Sequence, residues 1–185
     1  LAHGVPRPGG KLPPLFLSAS SSYYYNCMVN ADTASQKLFF DRYREEGMQL
    51  DYWWMDAGWY PCKNWPETGT WEVDTKRFPK GLREVSDHVE AKDGMGTIVW
   101  FEPERVHSGT WLANERPEWI FGEVRSGGGN LLNLGNPDAW SWLVNHIDKL
   151  IVEQRIGLYR QDFNINPLGA WRGNDAPDRQ GMTEI

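Results

Sequence analysis

Leu158-Tyr159-Arg160-Gln161-Asp162-Phe163-Asn164 follows a helical stretch and Gly157 and reads as a short buried strand. Side chains on a strand alternate faces, so Arg160, Asp162 and Asn164 share one side. Three polar groups on one face of an otherwise apolar strand do not suit a packed core. A carboxylate beside a fixed cation stays ionised, because the opposite charge favours its charged form. An ionised, oriented carboxylate at a strand end is what a glycosidase nucleophile requires. The competing reading is a structural Arg–Asp pair at a strand terminus, since ion-pair networks perturb charges without catalysing anything.

The flanking elements extend this unit along the chain. Asn136-Pro137 supplies a cap and a proline at the first helical position. Leu143, Ile147, Leu150 and Ile151 stripe the helix that follows, and Gly157 is expected to end it. Upstream, Pro14 to Ala19 reads as a first strand. Asp32 caps a helix over Thr33–Glu46, with Ala34, Leu38, Phe39 and Tyr43 at helical spacing and Gly47 as its stop. Leu50 to Ala57 is a second strand, Leu82–Lys92 a second helix with Leu82, Val85 and Val89 inward, and Thr97 to Glu102 a third strand. Residues 1–13 are rich in Gly and Pro and read as a linker or inter-domain arm. After Phe163 the chain turns polar and turn-like.

Strand–helix alternation predicts a parallel sheet of βαβ units. Long loops follow the strands, at the carboxyl ends, the face that carries the active site in a TIM barrel. A full barrel takes about 250 residues, and the 185 residues here hold about four strand–helix units. The expected fold class is therefore α/β, a partial (β/α)8 TIM barrel, with residues 14–185 its N-terminal half. The glycine run Gly127–Gly129 opens no helix as a phosphate loop would, and reads as a loop.

Composition narrows the function. Hydrophobic content is 40% and charged content 24%, the balance of a globular chain. A net charge of -6 argues against a nucleic-acid binder, which carries basic patches. No apolar run reaches transmembrane length. Eleven Trp, seven Tyr and seven Phe favour carbohydrate, whose apolar ring faces stack on aromatics, or else a bulky core. Cys27 and Cys62 form neither a disulfide framework nor a zinc pattern. His3, His88, His107 and His146 lack metal-ligand spacing and read as surface or satisfied histidines. The chain starts with Leu, and its start resembles neither a signal peptide nor a natural terminus, so localisation is unreadable.

The other strand ends repeat the pattern. Period-two alternation puts Tyr52, Trp54 and Asp56 on one face, with Asp56 just before the Gly58 turn. Asp56 there can accept from ligand hydroxyls with Trp59 as a wall, or merely cap the turn. On the third strand Trp100 and Glu102 share a face, and Pro103 ends the strand. Glu104 and Arg105 read as a loop ion pair or as partners of neighbouring loop residues. Acidic residues at three strand ends, with aromatics beside them, predict a polyol pocket, and paired carboxylates with aromatics suggest glycoside hydrolysis.

Trp54-Met55-Asp56-Ala57-Gly58-Trp59, Trp100-Phe101-Glu102-Pro103-Glu104-Arg105-Val106, Leu132-Asn133-Leu134-Gly135-Asn136-Pro137 and Tyr159-Arg160-Gln161-Asp162-Phe163-Asn164 together resemble the catalytic domain of glycoside hydrolase family 36. Gly69-Thr70-Trp71-Glu72-Val73 and Arg77-Phe78-Pro79-Lys80-Gly81-Leu82 look similar too. The resemblance implies a TIM-barrel retaining α-galactosidase with Asp162 as nucleophile. It puts Asp56 on a residue that grips galactose hydroxyls and Trp100 on a pocket tryptophan. Arg160 falls where many members have a sugar-binding Lys, Asn164 on the polar residue after the nucleophile, and Arg125 on a pocket arginine. Ala57 departs from the family's second Asp, and Arg160's planar fork is not equivalent to a lysine.

The resemblance implies no cofactor and no metal. The expected partner is an α-galactoside oligosaccharide, with neither nucleic acid nor membrane. It also implies a missing C-terminal half of the barrel that holds the acid/base carboxylate beyond Ile185, and leaves a homo-oligomer open for the full-length protein. α-N-Acetylgalactosaminidase or galactosyl transferase activity, or a catalytically inert carbohydrate-binding role, are the alternatives on this scaffold.

Overall fold

The computed structural model describes residues 10–12, 14–92 and 94–182. Most of the expected arm at residues 1–13 lies outside them. Within them the chain runs β1 (Ser18–Ser20), α1 (Thr33–Glu45), β2 (Tyr52–Met55), α2 (Arg83–Glu90), β3 (Gly96–Phe101), β4 (Arg105–Val106), α3 (Trp111–Glu115), a 3-10 turn (Pro117–Trp119), β5 (Asn130–Leu131), α4 (Pro137–Gln154), β6 (Leu158–Gln161) and α5 (Leu168–Asn174). A second 3-10 turn, Pro177–Arg179, follows. Four strands form one parallel sheet in the order β1-β2-β3-β6, with α1, α2 and α4 in the crossovers. This is an α/β partial barrel, and β1 and β6 are its edges among the described residues.

Helix α1 starts where the sequence places it, because Asp32 accepts from the Ser35 N–H at 2.8 Å while the Ser35 hydroxyl accepts from the Asp32 N–H. Its inward face differs from expectation. Thr33, Gln36 and Phe40 are buried, whereas Leu38 is 52% exposed. Gln36 turns inward because it has partners: it donates to Ser21 at 2.7 Å and accepts from the Trp53 indole at 3.1 Å. In α2, Leu82, Val85 and Val89 are buried as expected.

Helix α4 does not end at a glycine. Arg155 takes the left-handed C-cap conformation at φ 53 and pairs with Asp87 and Glu90 of α2. Gly157 has another duty. A Cβ there would stand 3.3 Å from the Thr97 backbone, so the glycine lets β6 begin close to β3.

The first strand is later and shorter than the expected Pro14–Ala19, since Leu15 and Leu17 are exposed. The segment after β3 is more structured than a loop. Arg105 and Val106 pair antiparallel with Leu131 and Asn130, and the Asn130 amide donates to the carbonyls of Val106, Arg125 and Gly127. Helix α5 was expected as turn-like chain. Such short pieces stand on tertiary contacts rather than on periodicity, which is why the pattern misses them.

Parallel registry sorts the sheet into two faces. Trp53, Met55, Val99 and Phe101 are fully buried in the core. Tyr52 and Trp54 stand opposite Gly96 and Ile98, and Trp100 stands opposite Arg160, so these residues share the other face. In a closed barrel that second face is the interior.

Candidate active site

Asp162 is the first residue past β6, and its N–H still bonds the Phe101 carbonyl at 2.8 Å. Its carboxylate is held by donors from two strands. The Trp100 indole N–H donates to Oδ2 at 2.9 Å, and the Asn164 amide donates to the same oxygen at 3.0 Å. The Phe163 N–H donates to Oδ1 at 2.9 Å. Arg160 Nη1 lies 3.1 Å from Oδ2, the two side chains being 36% and 30% exposed. Partial burial works to raise the Asp162 pKa. The bonds from Trp100, Asn164 and Phe163, with the Arg160 guanidinium, outweigh it and hold the carboxyl well below the usual carboxylate range.

Arg160 is stacked with its guanidinium 4.8 Å from the centre of the Trp54 ring. Its Nη1 is buried and has no hydrogen-bond acceptor, as has the Trp54 indole N–H. The close approach to Asp162 is thus an ion pair with a donor still to spare.

Asp56 follows β2. Its Oδ2 accepts from the Ser22 hydroxyl at 2.7 Å and its Oδ1 from the Ala57 N–H at 2.8 Å. Arg125 is exposed on the segment before β5, where its backbone bonds Asn130 on both sides. The structure therefore brings Trp100, Arg160 and Asn164 together on Asp162, whereas among the described residues no hydrogen bond or ion pair joins Asp56 or Arg125 to them.

Three expectations change. Trp59, expected as a pocket wall, is fully buried and donates its indole N–H to the Trp100 carbonyl at 2.9 Å. Trp100 is itself 2% exposed, edge-on to Trp65 with ring centres 5.9 Å apart, so what it offers the site is its N–H. Glu102, expected as a third strand-end carboxylate of the pocket, is fully buried and accepts from the Asn164 backbone N–H. It also pairs with Arg105, Nη1 to Oε2 being 3.4 Å. A charge so buried requires such partners. Sequence reasoning missed Ser22 as the partner of Asp56, and paired Arg105 with Glu104 or its loop neighbours where the structure pairs it with Glu102. Nothing in the sequence signals Ser22, which lies 34 residues from Asp56.

The described residues hold no group of three or more His, Cys, Asp or Glu able to bind a metal ion. His88 bonds Asp41 at 2.8 Å, His146 the Trp71 carbonyl at 2.7 Å and His107 the Ser108 carbonyl at 2.7 Å. Cys27 and Cys62 are free thiols, and burial pushes each up to about 11. No described helix is long and apolar enough to cross a membrane.

A parallel βα sheet with an ionised, multiply bonded carboxylate at its carboxyl ends defines an α/β-barrel type of domain with a strand-end site. The family model described as Melibiase matches residues 13–182, and the chain belongs to that family. An α-galactosidase of Escherichia coli is 26% identical over 181 residues, covering 94% of this chain and 25% of that protein. Among solved structures, the GH36 α-galactosidase AgaB of Geobacillus stearothermophilus superposes with a TM-score of 0.72 at 18% identity, over 90% of this chain and 23% of that one. A variant of AgaA from the same organism, solved in complex with raffinose, gives 0.67 at 16% identity, over 90% and 23%. The chain thus spans about a quarter of the length of the α-galactosidases it matches.

Proposed function

We propose that this chain is the nucleophile-bearing, N-terminal half of the catalytic barrel of a retaining α-galactosidase, with residues 1–13 as an arm leading into it. The observation that carries the reading is the cradle around Asp162. Oδ2 is engaged by Trp100, Asn164 and Arg160, whereas Oδ1 accepts only the Phe163 N–H among the bonds described. The less engaged oxygen keeps lone pairs for attack.

In the first step Oδ1 bonds the anomeric carbon and the glycosidic C–O bond breaks. The leaving oxygen takes its proton from a carboxyl group on a later strand, outside these residues. In the second step that carboxylate takes a proton from water, the water oxygen attacks the anomeric carbon, and the ester bond to Asp162 breaks. Asp56 accepts from glycone hydroxyls. Arg160, whose Nη1 makes the ion pair with Asp162 without hydrogen-bond geometry, gives a guanidinium N–H to a sugar oxygen, which removes the cost of leaving a buried donor unmade. Arg125, exposed on the segment before β5, is a further candidate for a sugar contact. The substrate class is a terminal α-galactoside of an oligosaccharide, in line with the raffinose complex of the related AgaA.

The test is Asp162→Gly in the full-length enzyme, assayed with an aryl α-galactoside that has a good leaving group. Turnover should fall by several orders of magnitude with the fold retained. Azide should fill the space, attack from the same side and restore turnover, giving a β-galactosyl azide. Near wild-type activity without azide would make Asp162 a structural ion-pair partner and end this reading.

A further inference from the structure

We infer that Glu102 is a positioning residue that holds the Asp162 carboxylate in its attacking orientation through the Asn164 backbone. The inference rests on the reading of Asp162 as nucleophile. Among the described residues Glu102 makes no hydrogen bond to Asp162; its bonds go to Asn164 and Arg105. It is fully buried, and its Oε1 accepts from the Asn164 N–H. Asn164 is exposed, lies past the end of β6, and has no strand partner to fix it. Its amide nevertheless reaches back to Asp162 Oδ2 at 3.0 Å. A loop residue can keep that geometry only if its backbone is pinned, and Glu102 is the pin.

The same carboxylate is tied to the second donor. Trp100, two residues earlier on β3, donates to Oδ2 at 2.9 Å. Arg105 locks the far side. It lies 3.4 Å from Glu102, donates to the Gly128 carbonyl at 3.0 Å, and sits 5.2 Å from the Trp65 ring centre. Trp65 in turn packs edge-on against Trp100. Two of the three groups on Oδ2 thus hang on the Glu102–Arg105 pair, Trp100 through the chain and Asn164 through a hydrogen bond. Of the charged groups at the carboxyl ends of the sheet, Arg160 on β6 pairs with Asp162, Glu102 after β3 pairs with Arg105, and Asp56 follows β2.

A buried ion pair that only supports the fold would look similar, so the test must separate acceptor from charge. Glu102→Asp keeps the charge opposite Arg105 and withdraws the acceptor from the Asn164 N–H. Glu102→Gln keeps an acceptor oxygen and removes the charge. In the full-length enzyme Glu102→Asp should lower kcat/KM roughly 10- to 100-fold, the range for losing one bond to a charged group. It should also move the acidic limb of the pH profile upward, because a carboxylate that loses a donor is protonated more easily. Glu102→Gln should fall less and shift less.

Combined with Asn164→Ala, Glu102→Asp should add almost nothing, since both cut the same path. Additive losses with an unmoved acidic limb, or Gln falling further than Asp, would overturn the inference and leave Glu102 as fold support. Should either Glu102 variant fail to fold, the cycle is run with Arg105→Lys, where the same non-additivity with Asn164→Ala is expected and additivity refutes. Asp162→Gly run in parallel keeps the two readings apart. If it is inactive and rescued by azide while the cycle is additive, only the role of Glu102 is lost.

Discussion

At the scale of the residue, the decisive group is Arg160. It is stacked on Trp54, ion-paired with Asp162, and holds a buried N–H in reserve. On the proposed reading Arg160→Ala removes a charge-assisted bond to the sugar, about 1.5–3 kcal/mol or roughly one to two decades in kcat/KM. The missing cation also makes the Asp162 carboxylate less favourable, so its pKa rises and the acidic limb of kcat/KM moves to higher pH. Arg160→Lys keeps the charge and should retain part of the activity, although it loses the planar stacking on Trp54. The pH dependence of kcat/KM for the three proteins decides it. An unmoved limb with near wild-type kcat/KM in Arg160→Ala would place Arg160 outside the site. Trp100→Phe provides a second reading of the cradle, since it deletes only the N–H to Oδ2 and keeps most of the packing. The limb should move upward here too, by the same sign. The period of the strand alone placed Arg160, Asp162 and Asn164 together, because side-chain alternation is a local property. It could not show that Glu102 turns away from the pocket, because that depends on a bond 62 residues distant.

Among the elements, the long loop after β2 is organised by one side chain. Arg77 donates to Asp74, to the carbonyls of Met28 and Ala31 before α1, and to those of Gly58 and Tyr60 after β2. That guanidinium fastens the loop bearing Asp56's neighbours to the turn that carries the cap of α1. Arg77→Ala strands several carbonyls and leaves Asp74 without its cation, so a loss of about 3 kcal/mol is expected in urea unfolding at pH 7. A loss under about 1 kcal/mol would mean that water replaces the guanidinium at little cost. Asp32→Ala, which removes the α1 capping box, should cost about 1 kcal/mol by the same measurement. Gly58 sits in the same loop at φ 95, and a Cβ there would lie 2.9 Å from Val29 Cγ2, so the turn admits no larger residue without moving its neighbour.

For the whole molecule, the sheet edges and the outer face of α4 set the behaviour. Among the described residues β1 and β6 end the parallel sheet, and Trp140, Val144 and Val152 on α4 are exposed. The 185-residue chain by itself should show no turnover of an aryl α-galactoside, because the proposed acid/base lies elsewhere, and should associate through its unpaired edges and apolar surface. Size exclusion with a parallel assay checks both. Turnover well above background from a clean monomer would refute the half-barrel reading. What the sequence by itself determined is what local periodicity and stop signals encode. These are the alternation of strands and helices, the Asp32 and Asn136 caps, the inward face of α2, and the polar face that ends at Asp162. What only the tertiary structure decided is everything that rests on partners far apart in the chain. Gln36 displaced Leu38 from the core because Ser21 and Trp53 satisfy its amide. Trp59 became a buried donor instead of a pocket wall, and Trp100, itself buried, reaches Asp162 through its indole N–H. Glu102 was withdrawn from the pocket to anchor Asn164, since a buried charge goes where its partners are, and partners are set by the fold.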